Sequence, residues 1–261
     1  MEVVIAPAEE LARRAAGAVA ALLRRKPDAV IGLATGSSPL DVYEELARLH
    51  AEEGLSFAQA RGFLLDEYVG LPADHPERYR NVIERELASR VGWAPEQVHG
   101  PDGLADDLGA ACTAYERAIR GAGGIDLQLL GIGTNGHIAF NEPASALASR
   151  TRVEALTLQT RRDNARFFGG DVEQVPTLCL TQGLGTILEA RRLVMLARGE
   201  HKAEAVRQMV EGPVSAMWPA TALQHHPHVT VLVDDAAASR LTMADHSRVA
   251  DRSRLPCADI S

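Results

Sequence analysis

Aromatic residues are scarce in this 261-residue chain: Phe, Trp and Tyr together make up 4% of it. The core must therefore be built mainly from Ala, Leu and Val, and a high Ala content favours helices. Cysteine is also rare, with only Cys112, Cys179 and Cys257, which are far apart and odd in number. This pattern excludes a disulfide framework and a zinc knuckle, and it predicts reduced thiols.

Other features are missing as well. No apolar run approaches the length of a membrane span, and the N-terminus lacks the basic, apolar and cleavage regions of a signal peptide. The formal net charge of -8 argues against a nucleic-acid partner held by general phosphate attraction. A local group of Arg and Lys can still bind a small anion. We therefore expect a cytoplasmic protein with no membrane and no nucleic-acid partner.

Short apolar runs alternate with amphipathic stretches along the chain. The predicted strands are residues 3–5, 29–34, 62–65, 126–130, 177–180, 193–197 and 229–233. The predicted helices are residues 11–25, 39–53, 78–89, 105–120, 162–168 and 202–211. The alternation predicts an α/β fold with a single doubly wound, mostly parallel sheet and helices on both faces, as in Rossmann-like proteins. Residues 1–241 are predicted to form one domain, and the polar residues 242–261 a loosely held tail.

Ligands of such sheets bind at the carboxyl ends of the strands, and a first polar cluster follows the strand at 29–34. It consists of Thr35, Gly36, Ser37 and Ser38. Pro39 then starts a helix, with Asp41 expected to complete a capping box with Ser38. Free N–H groups and hydroxyls at a helix N-terminus bind phosphate well, but an ordinary capped turn has the same residues. Both interpretations stay open.

A second cluster, Asp66 and Glu67, ends the predicted strand at 62–65. A carboxylate partly desolvated at a strand end can act as a general base. Alternatively, it caps the next helix or pairs with Arg78 or Arg80.

The third cluster lies in LLGIGTNGHIAFNEPAS, residues 129–145, whose glycines spell G-x-G-x-x-G. A dinucleotide site needs a helix that opens at the last glycine. Here Gly136 is followed instead by His137, Glu142 and Pro143. We therefore interpret the glycines as allowing close approach of a small ligand.

His137 can titrate near neutral pH, and Glu142 can orient it or share its proton. Asn135 can hydrogen-bond but cannot take a proton. A metal site would need a third ligand, which the neighbouring sequence does not supply, so no metal is predicted.

The fourth cluster is cationic and consists of Arg166 and Lys202. Each could be an ordinary surface charge. If both face Ser37 and Ser38, they complete a phosphate site.

Taken together, these residues resemble the glucosamine-6-phosphate deaminases. The resemblance covers about residues 31–238 and is carried by GLATGSSP, LLDEYVGLPADHPERY, GIGTNGHIAFNEPASALASRTR, TRRDNARFF, VPTLCLTQGLGTILEARRLVMLARGEHKAEAV and HPHVTVLVDDAA. The related 6-phosphogluconolactonases share the glycine element but differ immediately after it, where this chain has IAFNEP.

The resemblance implies conversion of glucosamine 6-phosphate and water to fructose 6-phosphate and ammonia, without a redox cofactor or metal. It implies that His137 opens the sugar ring, with Glu142 and Asn135 as its partners. Asp66 would move a proton from C2 to C1 through an enol-type intermediate. Gly36, Ser37 and Ser38, with Arg166 and Lys202, would hold the phosphate.

Two positions depart from the family pattern. Many members have Asp where this chain has Asn135, so Glu142 alone must stabilise a protonated His137 by charge. Members activated by N-acetylglucosamine 6-phosphate carry an Arg and a Lys two residues apart, where this chain has Arg152 and Glu154. Because Glu154 would repel a phosphate, we expect weak or absent activation by that effector.

Other functions remain open from sequence. A galactosamine-6-phosphate deaminase or a lactonase would share the fold and the phosphate site. A non-catalytic sugar-phosphate sensor would not need Asp66, His137 and Glu142, and a structural protein would show an apolar patch instead of polar strand ends. The sequence does not decide between a monomer and a homo-oligomer.

Overall fold

The computed structural model describes residues 1–246 and 248. Its strands are β1 (Glu2–Ile5), β2 (Val30–Leu33), β3 (Arg61–Leu64), β4 (Asp66–Tyr68), β5 (Val98–His99), β6 (Leu127–Gly131), β7 (Arg152–Ala155), β8 (Leu178–Thr181), β9 (Leu193–Ala197) and β10 (Val229–Val233). Its α-helices are α1 (Ala8–Arg25), α2 (Ser37–Glu53), α3 (Tyr79–Ile83), α4 (Ser89–Val91), α5 (Leu108–Gly121), α6 (Leu158–Asn164), α7 (Leu184–Leu188) and α8 (Ala203–Glu211). A π-helical turn, Glu84–Ala88, joins α3 to α4.

Seven of the described strands form one parallel sheet, in the spatial order β1-β10-β9-β6-β2-β3-β5. Every residue of β2 and β9 is buried. Because successive strand residues face opposite sides, helices and loops must cover both faces of the sheet. This confirms the predicted α/β fold with a parallel central sheet.

The order of the strands fixes where a ligand can bind. From β2 the chain moves outward to β3 and β5, and it then returns to the other side of β2 with β6. The boundary between β2 and β6 is therefore the topological switch point, where the loops that follow the two strands diverge and leave a crevice. Both loops carry polar clusters that the sequence predicted to be functional.

A second, three-stranded antiparallel sheet was not predicted. Its order is β4-β8-β7. Residues 177–180 were expected in the parallel sheet, and that prediction is wrong because β8 pairs antiparallel with β4 and β7. A single residue, Leu65, separates β3 from β4, so the chain turns from one sheet into the other. The search for apolar runs missed β4, β5 and β7, which are short and include polar residues.

The largest core helix has the predicted spacing. In α1, Leu11, Ala15, Val19 and Leu23 recur every four residues and are at most 2% exposed. This helix packs against α2. None of the helices in the described residues is long and apolar enough to cross a bilayer.

The start of the predicted tail contacts the domain. The N–H groups of Thr242 and Met243 donate to the carboxylate of Glu211 at 3.1 and 2.9 Å, and Arg248 forms an ion pair with Asp235. Residues 247 and 249–261 lie outside the described residues. The single-domain boundary at 241 and the loosely held tail therefore stay predictions.

Glu116, on α5, joins three parts of the fold through a buried carboxylate. It accepts hydrogen bonds from the hydroxyls of Thr151 and Thr186 at 2.6 and 2.5 Å, from the Thr151 N–H at 2.9 Å, and from Arg150 at 2.6 Å. Burial opposes ionisation, but these bonds outweigh it and lower the pKa of Glu116 to about 2. The ionised carboxylate therefore stabilises the fold.

We predict that Glu116→Gln lowers the free energy of unfolding at pH 7 by about 1–3 kcal/mol. Because the folded pKa lies below the unfolded one, the stabilisation is complete above about pH 4.5 and decreases as the pH falls towards 2. Denaturant unfolding at pH 7 and pH 3 should thus show a smaller difference between wild type and variant at pH 3. An equal difference at both pH values would contradict this role.

Candidate active site

A cavity of about 780 Å³ lies at the carboxyl ends of the central strands. Eight of the ten predicted site residues line it: Thr35, Gly36, Ser37, Ser38, Asp66, His137, Arg166 and Lys202. The remaining two, Asn135 and Glu142, contact each other behind His137. Residues from five separate parts of the sequence thus meet at the switch point of the sheet.

The loop after β2 offers free backbone donors. Helix α2 begins at Ser37 with Gly36 as its N-cap, and no side chain caps it. The expected capping box is wrong: Asp41 instead forms an ion pair with Arg198, at the end of β9. Free N–H groups at the start of a 17-residue helix can therefore bind an anion.

Two cations line the same cavity as this loop. The Arg166 guanidinium donates to the Ser37 hydroxyl at 3.5 Å. Lys202 occupies the N-cap of α8. Burial lowers the pKa of Lys202, Arg166 lowers it further, and Asp163 opposes the shift. Like charges placed close together indicate a site for an anion.

The two adjacent carboxylates after β3 have different environments. Glu67 accepts hydrogen bonds from the N–H groups of Tyr68 and Tyr79 at 2.9 Å and of Arg80 at 3.0 Å. Glu67 therefore has the structural role that the sequence left open for this cluster, because it caps the start of the next helix, α3. The side-chain carboxylate of Asp66, a residue that is 5% exposed, has no hydrogen bond or ion pair with any other described residue. Burial and the neighbouring Glu67 charge raise its pKa well above the usual value, which strengthens it as a base.

His137, Glu142 and Asn135 form one unit. The His137 Nδ1 lies 3.7 Å from Glu142 Oε2, and the Asn135 side-chain amide donates to the same oxygen at 2.8 Å. The Asn135 carbonyl oxygen accepts from the His137 N–H at 3.2 Å. Asn135 thus fixes the carboxylate and the histidine backbone together, without bonding to the imidazole.

Two threonines that sequence reasoning missed complete this unit. Thr157 donates to Glu142 Oε1 through its N–H at 3.1 Å and its hydroxyl at 3.2 Å, and the Thr160 hydroxyl lies 3.4 Å from His137 Nδ1. Burial opposes ionisation of Glu142, but His137 and these threonines outweigh it and lower the pKa of Glu142 to about 2. Glu142 is therefore ionised at neutral pH.

The glycines of the loop after β6 make room for side chains. A Cβ atom on Gly133 would lie 2.3 Å from the His137 ring, and one on Gly136, where φ is +82°, would lie 2.5 Å from Trp218. Residues 132–151 contain no helix. The loop therefore lacks the helix of a dinucleotide site, as the sequence predicted, and Gly133 accommodates the imidazole ring.

Strand β8 connects the two candidate acid–base groups. Thr181 on β8 pairs with Asp66 on β4, and its hydroxyl accepts from the Phe140 N–H at 3.1 Å. The buried Asn141 amide donates to the Gln182 carbonyl at 2.8 Å. The loop that carries His137 and the strand that carries Asp66 are thus both anchored to β8.

Part of the scarce aromatic content lies beside Asp66. The rings of Tyr68, Tyr79, Phe140 and Phe168 form one cluster, with centroids of contacting pairs 4.8–5.9 Å apart. Tyr79 and Phe140 also line the cavity. Sequence reasoning missed Tyr79, although it lies within a motif that had been singled out.

The predicted site residues do not form a cluster of metal ligands. Among residues 1–246 and 248, no group of three or more His, Cys, Asp or Glu side chains is arranged to hold a metal ion.

Arg152 and Glu154, the two residues at the positions expected to matter for regulation, pair with each other on β7. Arg152 forms an ion pair with Glu154 and donates to Asn141 at 2.8 Å and to the Ser145 hydroxyl at 2.8 Å. Its charge is therefore already neutralised by a neighbour on β7.

A family model described as glucosamine-6-phosphate isomerases/6-phosphogluconolactonase matches residues 5–232. A protein of Mycolicibacterium smegmatis named glucosamine-6-phosphate deaminase is 68% identical over 97% of this chain and 98% of its own length. One of Streptomyces coelicolor with the same name is 61% identical over 95% of each chain. The chain belongs to the glucosamine-6-phosphate isomerase/6-phosphogluconolactonase family.

Solved structures agree with this membership. A structure described as a monomeric glucosamine-6-phosphate deaminase has a TM-score of 0.89 and 45% identity, and the match covers 92% of this chain and 99% of that one. The 6-phosphogluconolactonase of Trypanosoma brucei has a TM-score of 0.70 at 22% identity, covering 92% of this chain and 98% of its own. At that identity the lactonase shares the fold alone.

We predict that inorganic phosphate stabilises the protein through Arg166 and Lys202. At 100 times its dissociation constant, a ligand adds about 2.7 kcal/mol to the free energy of unfolding. The double variant Arg166→Met/Lys202→Met should lose most of this gain in thermal unfolding with and without phosphate. Arg85→Met is the control, because Arg85 also lines the cavity but pairs with Glu86. Equal phosphate protection in both variants would contradict the assignment.

Proposed function

We propose that this chain is a glucosamine-6-phosphate deaminase, which converts glucosamine 6-phosphate and water to fructose 6-phosphate and ammonia. The observation that carries the proposal is the buried, unpaired Asp66 carboxylate in the same cavity as His137 and the Ser37–Arg166–Lys202 group. An aldose–ketose isomerisation needs these three elements: a base for a C–H proton, a group that opens the ring, and an anchor. The family membership and the names of the similar deaminases support it.

The substrate phosphate is held first. The free N–H groups at the start of α2 supply hydrogen bonds, and Arg166 and Lys202 supply charge. Holding the phosphate end fixes the position of C1 and C2 at the other end of the sugar, so binding energy serves to orient the reacting atoms.

His137 then opens the pyranose ring. It moves a proton from the C1 hydroxyl to the ring oxygen, which breaks the C1–O5 bond and leaves an aldehyde at C1. The imidazole is transiently protonated in this transfer. The ionised Glu142, 3.7 Å from Nδ1, stabilises that positive charge.

Asp66 carries out the isomerisation. Its carboxylate takes the proton from C2, which gives an enol-type intermediate, and returns the proton to C1. C1 becomes a hydroxymethyl group and C2 reaches the oxidation level of an imine. Water adds to C2 and ammonia leaves, so the reaction consumes one water and needs no redox cofactor and no metal. The enzyme is thus a hydrolase of carbon–nitrogen bonds that acts in amino-sugar catabolism.

The location that we propose for this reaction is the cytoplasm. Within the described residues, Cys112 and Cys179 are free, buried thiols, which suits a reducing compartment.

The proposed reaction can be tested by incubating the purified protein with glucosamine 6-phosphate, with no nicotinamide and no added metal. Ammonia and fructose 6-phosphate should appear in equal amounts, and Asp66→Asn should reduce the rate by about a hundred- to ten-thousandfold. Glu77→Gln is the control, because the Glu77 carboxylate also lines the cavity but takes no part in the proposed proton transfers. Release of ammonia from galactosamine 6-phosphate alone, or acid from the lactone alone, would replace the proposal with one of those activities.

The second prediction compares the two partners of His137. Glu142→Gln removes the charge that stabilises the imidazolium, so kcat should fall by about a hundredfold. Asn135→Asp keeps a hydrogen-bond acceptor for the His137 N–H, so kcat should fall by less than about tenfold. Steady-state kinetics of both variants at pH 7.5 provide the measurement. Comparable losses would count against Glu142 as the main electrostatic partner.

The third prediction concerns regulation. Because Arg152 is paired with Glu154, N-acetylglucosamine 6-phosphate should leave the substrate curve hyperbolic and change the rate by less than about twofold. The test is to measure initial rates across a range of substrate concentrations, first without the effector and then with amounts of it from one equivalent to a large excess. A sigmoidal curve that the effector makes hyperbolic would refute it.

A further inference from the structure

His201 lies beside the two proposed phosphate cations, but the proposed mechanism does not use it. A short 3-10 turn, Glu200–Lys202, carries it between β9 and α8. His201 is exposed to solvent and lines the same cavity as Ser37, Arg166 and Lys202. Its imidazole makes no hydrogen bond or ion pair with any other residue among 1–246 and 248. A titratable group without such a partner therefore borders the place where the phosphate is proposed to bind.

The turn that carries His201 is held in place. The Gly199 N–H donates to both carboxylate oxygens of Asp234, at 3.1 and 3.0 Å, and the Gly199 carbonyl accepts from the Lys202 N–H at 3.0 Å. The imidazole lies against this turn, since a Cβ atom on Gly199 would be 2.9 Å from His201 Nδ1. Gly199 and Asp234 also line the cavity. The ring is thus kept next to the cavity by a turn with little freedom.

Charged side chains from three parts of the fold act on His201. Lys202 and Arg166 supply positive charge, whereas Asp163 and Asp234 supply negative charge. Burial and the two cations lower the pKa of His201, and the two carboxylates oppose the shift. An imidazole whose pKa is below its usual value is mostly neutral at pH 7. In the free protein, His201 therefore adds little charge to the site.

The two carboxylates that act on His201 have other hydrogen-bond partners. Asp163 accepts from the Thr134 hydroxyl at 2.9 Å and from the Gln159 side-chain amide at 2.8 Å. Asp234 likewise accepts from two backbone N–H groups. Neither carboxylate forms an ion pair with the imidazole, so an anion that enters the cavity is the charge that decides the protonation of His201.

A bound dianion reverses the balance of charge around the imidazole. A phosphate monoester carries a charge of about -1.5 to -2 at pH 7. Placed among Ser37, Arg166 and Lys202, it offsets the cations that lower the pKa of His201, so the pKa rises on binding. When binding raises the pKa of a group, a proton is taken up with the ligand. By linkage, the ligand then binds more tightly at a pH where that group is already protonated.

We propose that His201 is a third cation of the phosphate site, which takes up a proton when a dianion such as phosphate or sulfate binds. In the free protein the neutral ring adds no repulsion to Lys202 and Arg166. In the complex the imidazolium adds its charge to theirs. This inference rests on the proposed phosphate site and gives it a residue whose contribution depends on pH.

Proton uptake can be measured by calorimetry with sulfate, which stays a dianion near neutral pH and so exchanges no proton of its own. Titrations at pH 7 are made in two buffers that differ in ionisation enthalpy, because the difference in heat gives the number of protons taken up. Wild type should take up about 0.3 to 0.6 proton per sulfate, and His201→Gln less than about 0.1. His225→Gln is the control and should match wild type, because His225 does not line the cavity.

The second measurement is the pH dependence of binding. The imidazolium is present at low pH and is lost as the pH rises. His201→Gln should therefore bind sulfate about threefold to tenfold more weakly than wild type at pH 6, and within about twofold of it at pH 8.5. His201→Lys keeps its charge, so it should bind more tightly than wild type at pH 8.5 and take up less than about 0.1 proton at pH 7.

Three results would overturn the proposal. Equal proton uptake by wild type and His201→Gln would assign the proton to another group, such as His137. Equal weakening of His201→Gln at pH 6 and pH 8.5 would mean that the side chain acts by shape or hydrogen bonding and not by charge. Failure of sulfate to bind wild type would remove the anion site on which the inference rests. Thermal unfolding without sulfate checks that each variant is folded.

The sulfate measurements separate this inference from the proposed function. If proton uptake depends on His201 but wild type releases no ammonia from glucosamine 6-phosphate, the proposed function fails and the role of His201 stands. If ammonia is released but His201→Gln takes up as many protons as wild type, the inference fails and the proposed function stands.

Discussion

The site depends on an unequal division of hydrogen bonds between two adjacent buried carboxylates. Glu67 accepts three backbone N–H groups, whereas the Asp66 carboxylate has no hydrogen-bond or ion-pair partner among the described residues. If those donors were shared, Asp66 would be solvated by the protein and would be a weak base. Because Glu67 takes them, the start of α3 is fixed and Asp66 keeps its raised pKa. Glu67 thus holds the start of α3 in place, and its neighbour Asp66 is left as the proposed base.

The parallel sheet brings the other groups to Asp66. The loops after β2, β6 and β9 leave the sheet on the same edge, so the proposed anion site, the His137–Glu142 pair and the proposed base, Asp66, meet there. The net charge of the chain is negative, yet the cations that matter are held locally by Ser37 and by the start of α8. Local placement, and not overall charge, decides what such a cavity can bind.

Much of this could be predicted from sequence, since strand ends followed by Gly, Ser, Asp or His are local signals. All ten candidate residues lie in or directly behind the cavity. The missed features depend on pairing between distant segments. Arg198 meets Asp41 across 157 positions, and Thr157 approaches Glu142 only because α6 folds back over the loop. The small antiparallel sheet was missed because two of its strands, β4 and β7, are short and contain charged residues. The pairing of distant strands also cannot be read from a single sequence.

The attachment of both acid–base groups to β8 has a consequence for how such an enzyme can diversify. Thr181 sets the position of Asp66 by strand pairing and that of the His137 loop by its hydroxyl, so the spacing of the two groups belongs to the small sheet. The anion-binding loops belong to the large sheet. Insertions or exchanges in the loops after β2 and β9 can therefore alter ligand choice while the proton-transfer geometry is inherited unchanged.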